Sequence, residues 1–201
     1  MRDAVLFVSV SFIVFVFAAS MLNPLCLELS PAAIVVVFLY SFTKRFTWLS
    51  HLVLGTAISA APLGAWIAVR GTFDIEIIPL SIAVIFWLAG FDTIYAIQDV
   101  EFDRTHGLYS IPQRFGIKKA LLLARLFHAI TVILLVYTGF LFNRGLSYWA
   151  GMAVVALLFV YEHSLLKVDD LSRLNMAFFN MNGYISVTVF VFTLVDYFNL
   201  L

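Results

Sequence analysis

Apolar residues along this chain fall into seven long blocks, at about 4–23, 27–42, 49–69, 77–98, 119–141, 146–165 and 176–198, parted by short polar stretches. Most reach the roughly 20 residues that carry a helix across about 30 Å of hydrocarbon. The blocks are too unbroken for the alternation of a membrane barrel strand. The pattern therefore predicts an all-α, multi-pass transmembrane bundle of about seven helices. The second block is shorter, and Pro31 fits its first turn, where a missing N–H costs little. Pro62 and Gly64 inside the third block predict a kink that opens space between helices. Arg2 and the small Ala18-Ala19-Ser20 give the first block some likeness to a secretory signal. Its apolar run is long for one, and the same membrane pattern continues after it, so a retained helix is expected. Without a linker, repeat or low-complexity tract, residues 1–201 read as one membrane-embedded domain.

Composition agrees with the pattern. Of 201 residues, 63% are hydrophobic and 12% charged, with a mean hydropathy of +1.03. A soluble domain carries about 25% charged and 45–50% apolar residues. Twelve Lys and Arg balance twelve Asp and Glu, so the information lies in their placement, and no nucleic-acid partner is expected. Arg2, Lys44, Arg45, Arg104, Arg114, Lys118, Lys119, Lys167 and Arg173 fall on one side of the predicted spans, Arg70 and Arg144 on the other. The positive-inside rule then puts the 43–48, 99–118 and 166–175 loops, with the N-terminus, in the cytoplasm. The expected location is a bacterial inner membrane. The single cysteine, Cys26, excludes an internal disulfide and a cysteine metal cage. His51, His106, His128 and His163 are too far apart in sequence for a local ligand motif, so no structural zinc site is expected.

Acids and bases crowd together only in Phe91–Gly116, FDTIYAIQDVEFDRTHGLYSIPQRFG. Asp99 and Asp103 are spaced i, i+4. If the fourth helix continues past the membrane boundary, both carboxylates share one face, with Cβ atoms about 5–6 Å apart. Asp92 lies two turns deeper on that face, and Tyr95 falls between. Such paired hard oxygens suit Mg²⁺, which takes one or two carboxylates plus water and phosphate oxygens. The plainer reading is a solvated loop balanced by Arg104 and the lysines. Asp92 argues against it, because a carboxylate within so apolar a block costs about 2.5–3.5 kcal/mol on insertion scales. On the same side, YSFTKRFT at 40–47 offers Lys44 and Arg45 to an anion, although such pairs also anchor helix ends to lipid phosphate. Asn180 and Asn182 in the last block suit a contact with a neighbouring helix or the lining of the same cavity.

YAIQDVEFD followed by DRTHGLYSIPQRFG resembles the second aspartate-rich motif of the UbiA superfamily, the intramembrane aromatic prenyltransferases. YSFTKRFTWLSHLVLGTAISAAPLGAW and FFNMNGY are similar to the 4-hydroxybenzoate polyprenyltransferase branch, and the resemblance covers nearly the whole chain. It implies a nine-helix fold around a cavity, of which these seven would be the last. It also implies Mg²⁺ and a polyprenyl diphosphate held between two aspartate motifs. On that comparison Asp99 and Asp103 are metal ligands and catalytic, Arg45 is catalytic, and Lys44, Asp92, Tyr95 and Asn182 bind substrate. The implied reaction is transfer of a polyprenyl group to 4-hydroxybenzoate or a related ring, in ubiquinone or menaquinone synthesis. The family's first motif, N-x-x-x-D-x-x-x-D, is not found. The expectation is of an N-terminally truncated chain with half of the metal site, which leaves open whether it completes the reaction alone.

Two other functions fit less well. A CDP-alcohol phosphotransferase also uses membrane aspartates and Mg²⁺, but its D-G-x-x-A-R element does not occur. A non-catalytic seven-helix transporter or scaffold finds no support in paired half-helices or internal repeats.

Overall fold

The structure is a computed structural model and describes residues 2–198. Seven helices within it are long and apolar enough to cross a membrane. They are α1 (Arg2–Leu22), α2 (Pro24–Thr43), α3 (Ser50–Arg70), α4 (Ile78–Tyr95, entered through a 3-10 turn at Ile75–Ile77), α7 (Ile117–Leu141), α8 (Leu146–Ser164) and α9 (Met181–Tyr197, entered through a π-helical turn at Met176–Asn180). Two short helices, α5 (Val100–Thr105) and α6 (Ile111–Phe115), fill the long loop between α4 and α7. This is the all-α membrane bundle that the apolar blocks predict, and the chain is an integral, multi-pass membrane protein.

Local chemistry sets the joints. α1 and α2 are separated by Asn23 alone, whose side chain accepts from the Cys26 N–H and caps α2. The same amide donates to the carbonyls of Ile67 and Ala68, pinning the joint to the far end of α3. Because the cap lies this early, Pro24 rather than Pro31 occupies the first turn of α2. Pro31 is interior, contrary to the expectation from the apolar block. Proline offers no N–H to the carbonyl four residues back, which is Leu27. The Ser30 hydroxyl donates to that carbonyl instead, at 2.9 Å. Beyond α3, Asp74 accepts from the Trp66 indole, the Thr72 hydroxyl and the Arg70 guanidinium. The Trp66 hydrogen bond, supported by those from Thr72 and Arg70, holds its carboxyl below the ordinary carboxylate range.

The core sits around α4. Half of its spanning window is buried, against 6% for α1 and for α2, which leave most of their surface to lipid. Trp87 and Phe91 of α4 pack with Leu135 of α7, Tyr148, Met152, Val155 and Phe159 of α8, and Ile185 of α9. Nearer the basic end, Ile94 and Ile97 meet Leu121, Leu165, Leu174 and Met181, which draws the 165–175 loop to the same end as the 96–116 loop. At the opposite end Trp66 meets Phe142, and Arg144 meets Asp196. The two loop sets separated by the charge count are thus also two ends of the molecule.

His128 on α7 and His163 on α8 are 35 residues apart, yet the tight turn between these helices folds them alongside each other. His128 Nδ1 lies 3.0 Å from His163 Nε2.

The seating of α4 against α3 is close enough that a Cβ added at Gly55 would collide with the backbone carbonyl of Ile85. Gly55→Ala is therefore expected to force the two helices apart and to cost about 1–3 kcal/mol, as overpacking does. The measurement is thermal unfolding in detergent. An unchanged midpoint would show that the helices are not in this contact.

Candidate functional site

At the basic end of the bundle, α4 stops at Tyr95 rather than continuing as one rod. Residues 96–99 form tight turns, with the Ile97 N–H bonded to the Ile94 carbonyl and the Gln98 N–H to that of Tyr95. A new helical turn then begins, with the Asp103 N–H donating to the Asp99 carbonyl at 2.7 Å. Asp99 stands at the N-cap position of α5, yet its carboxylate makes no capping bond. It turns to Lys44, with Nζ 3.7 Å from Asp99 Oδ2 and 3.5 Å from Asp103 Oδ2. Two carboxylates from one turn of α5 thus converge on one ammonium from the end of α2.

The two acids differ in environment. The Asp103 side chain is 1% exposed and that of Asp99 41%. Burial of an anion is costly unless it is well partnered. Asp103 meets Lys44 only at the long end of hydrogen-bond distance. A buried carboxylate and a solvent-facing one around a single positive charge make a donor set fit for a divalent ion. Hard oxygens with open access for water and phosphate oxygens are what Mg²⁺ selects.

The descending stripe of acids predicted from helical spacing is divided by the break after Tyr95. Asp92 does not face Lys44. Its Oδ2 lies 2.7 Å from Nδ1 of His51, a wholly buried residue in the first turn of α3. The Ile111 backbone N–H donates to His51 Nε2 at 3.1 Å. That nitrogen is therefore the bare one, and Nδ1–H donates to Asp92; the tautomer follows from the hydrogen-bond network. His51 ties α3, α4 and the start of α6 together. A second clip, from the Tyr109 N–H to the Lys44 carbonyl at 2.7 Å, holds the same loop over the end of α2. Ser110 caps α6 by accepting from the Gln113 N–H.

The remaining predicted site residues divide. Tyr95 packs on Phe178 at 4.4 Å between ring centroids, with Phe179 edge-on, an aromatic floor that links α4 to the π-turn before α9. Arg45 is exposed and lies 5.4 Å over the Phe42 ring, and it makes no ion pair with the aspartates. Asn182 is half-buried on α9 and accepts from Ser186 at 3.5 Å, away from the carboxylates' hydrogen bonds. Asn180 helps line a groove of about 780 Å³ between α8 and α9, with Phe179, Tyr184 and Thr188. His51 was not singled out by sequence reasoning. The signal available was a titratable group in an apolar block on the same side of the membrane as Asp92.

The UbiA prenyltransferase family model matches residues 1–184. The chain belongs to that family. Among curated relatives, a 4-hydroxybenzoate octaprenyltransferase of Vibrio parahaemolyticus is 32% identical over 176 residues, which is 88% of this chain and 61% of that protein. One of Pseudomonas aeruginosa is 34% identical over 175 residues, 87% of this chain and 58% of that one. The chain thus spans about six-tenths of the length of these relatives. The apo structure of a UbiA homolog from Aeropyrum pernix K1 superposes with a TM-score of 0.87 at 30% identity, over 97% of this chain and 72% of that one. A digeranylgeranylglyceryl phosphate synthase structure shares the fold, with a TM-score of 0.76 at 21% identity over 97% and 69% of the two chains. UbiA family prenyltransferases generally use a divalent metal to bind diphosphate.

If His51 orders the aspartate loop, His51→Phe keeps the ring but strips the Ile111 N–H of its acceptor. A buried donor left unpartnered costs about 1–3 kcal/mol, which corresponds to amide exchange roughly 5- to 150-fold faster around residues 108–113. Hydrogen exchange on the chain in nanodiscs reads this directly. Unaltered protection there would show that the loop is held by other contacts.

Proposed function

We propose that this chain forms the diphosphate-gripping part of an intramembrane aromatic prenyltransferase, facing the cytoplasm. The donor in this reading is a polyprenyl diphosphate, and the acceptor is 4-hydroxybenzoate or a closely related ring, in quinone synthesis. The observation that carries it is the convergence of Asp99 and Asp103 on Lys44 at the basic end of the bundle, just past Tyr95 and the rings packed on it. The names of the curated relatives support the choice of donor and acceptor.

In this reading Asp99 and Asp103 would hold Mg²⁺, which supplies positive charge against the diphosphate as its negative charge grows. Lys44 Nζ, a mobile point charge, binds a diphosphate oxygen, and Arg45 swings from Phe42 to add its planar fork. The allylic C–O bond breaks with its electron pair staying on the diphosphate, which Lys44 and Arg45 bind. A ring carbon of the acceptor forms the new C–C bond, and the ring proton it loses passes to the released diphosphate. Tyr95, Phe178 and Phe179 exclude water from the allylic carbon, so that the ring captures it. Asp92, oriented by His51 Nδ1–H, presents its carboxylate to the acceptor side, and Asn182 lines the path from α9. The prenyl tail lies among apolar side chains open to lipid.

A non-hydrolysable prenyl thiolodiphosphate tests the grip on the chain in nanodiscs. Binding is expected to require Mg²⁺ and to weaken at least tenfold in Asp103→Asn and in Lys44→Ala. Equal affinity in wild type and both variants would remove these residues from the site. In turnover assays of a full-length version, label should pass from prenyl diphosphate to 4-hydroxybenzoate, whereas transfer from a CDP-alcohol would overturn the prenyltransferase reading.

A further inference from the structure

A second constellation lies deeper in the bundle, in none of the roles assigned above. His128 of α7 and Glu162 and His163 of α8 each offer one ligand atom, all within 4.8 Å of one another. His128 Nδ1 is 3.0 Å from His163 Nε2 and 3.5 Å from Glu162 Oε1. In a tetrahedral site with metal–nitrogen and metal–oxygen bonds near 2.0–2.1 Å, neighbouring ligand atoms are about 3.3–3.4 Å apart. The two separations from His128 Nδ1 bracket that value, and the third, between His163 and Glu162, is within 4.8 Å.

The surroundings favour an ion over a simple hydrogen-bonded cluster. His128 Nε2 lies 3.3 Å from the Trp87 carbonyl, which can only accept. The proton is therefore on Nε2, and Nδ1 points its lone pair at His163 and Glu162. A histidine that donates one N–H to a backbone carbonyl and offers the other nitrogen is the arrangement that orients metal-binding imidazoles. Glu162 is 0% exposed, and neither of its carboxylate oxygens has a hydrogen-bond partner among the described residues. One shared proton between the histidines leaves that carboxylate without a partner. A divalent cation would satisfy Nδ1, Nε2 and Oε1 together.

The site is also built closely. The His128 ring lies against the backbone of Gly90, where any Cβ would overlap the imidazole. Phe91 and Phe159 enclose it, with ring centroids 4.8 and 4.4 Å from that of His128. His163 is half-buried near the end of α8.

We propose that His128, Glu162 and His163 bind one borderline divalent transition-metal ion of the Zn²⁺ type, which staples α7 to α8 beneath the aspartate loop. Two imidazoles and one carboxylate suit such an ion and not Mg²⁺, which selects oxygen. Binding requires the ligand atoms to be deprotonated and therefore releases protons. The site is chemically separate from Asp99 and Asp103 and does not depend on the prenyl-transfer reading.

The test uses the chain without a polyhistidine tag, in nanodiscs, stripped by a chelator and titrated with Co²⁺. One equivalent is expected to give the strong visible absorption of low-coordinate Co²⁺, displaced by Zn²⁺, and Zn²⁺ should raise the melting temperature. Glu162→Gln and His163→Gln should each weaken binding at least tenfold, while Asp103→Asn and His106→Gln leave the spectrum unchanged. If Glu162→Gln does not fold, the half-buried His163→Gln carries the comparison. A folded wild type that takes up neither Co²⁺ nor Zn²⁺ overturns the proposal. So does equal affinity in wild type and His163→Gln, or a signal lost in Asp103→Asn instead.

Discussion

In a bilayer the backbone has no water to bond, so each crossing segment must satisfy itself as a helix, and helices gain no hydrophobic advantage by touching one another. Close packing then decides which helices meet. In this chain that burden falls on α4, which lies between α3 and α7 with glycine at both contacts, Gly55 against Ile85 and Gly90 against His128. Thr131 of α7 adds a hydroxyl bond to the Ala83 carbonyl of α4, as small polar residues do between membrane helices. The level of the Tyr95 terminus, and of everything built on it, follows from this seat.

Above Tyr95 hydrogen bonding is added to packing. The loop of α5 and α6 buries Ile111 against Ala89 and Phe127, and it is also clipped to the bundle through the Lys44 carbonyl and His51. Those clips come from either side of the α2–α3 connection, the same segment that sends Lys44 Nζ to the two carboxylates. The same short segment thus holds the loop and supplies the charged cluster. His51 is a positioning residue in this arrangement, since it acts on Asp92 and on the loop backbone.

The seven spans were legible because hydrocarbon imposes a length and a polarity that a sequence must display openly. Charge asymmetry likewise marked which loops share an end. Pro31 was misplaced because the start of α2 is decided by the Asn23 cap, whose two further bonds reach α3 across 44 and 45 residues. The Asp92–Tyr95–Asp99–Asp103 stripe assumed an unbroken helix. The tight turns at 96–99 end that regularity, giving Asp92 to His51 and leaving Asp99 and Asp103 to Lys44.

By itself, the sequence determined the class, the spans, which loops share an end and the concentration of acids and bases in one loop, because each depends on composition and on spacing of a few residues. Resemblance attached a family to that loop. Only the tertiary structure decided which partners the acids take. It chose Lys44 rather than Arg45 at the carboxylates, uncovered His51, and brought His128 and His163 from different helices to one point. Distances between helices depend on where small residues allow backbones to approach. Gly55 and Gly90 show their meaning only once the opposing Ile85 carbonyl and His128 ring are in place.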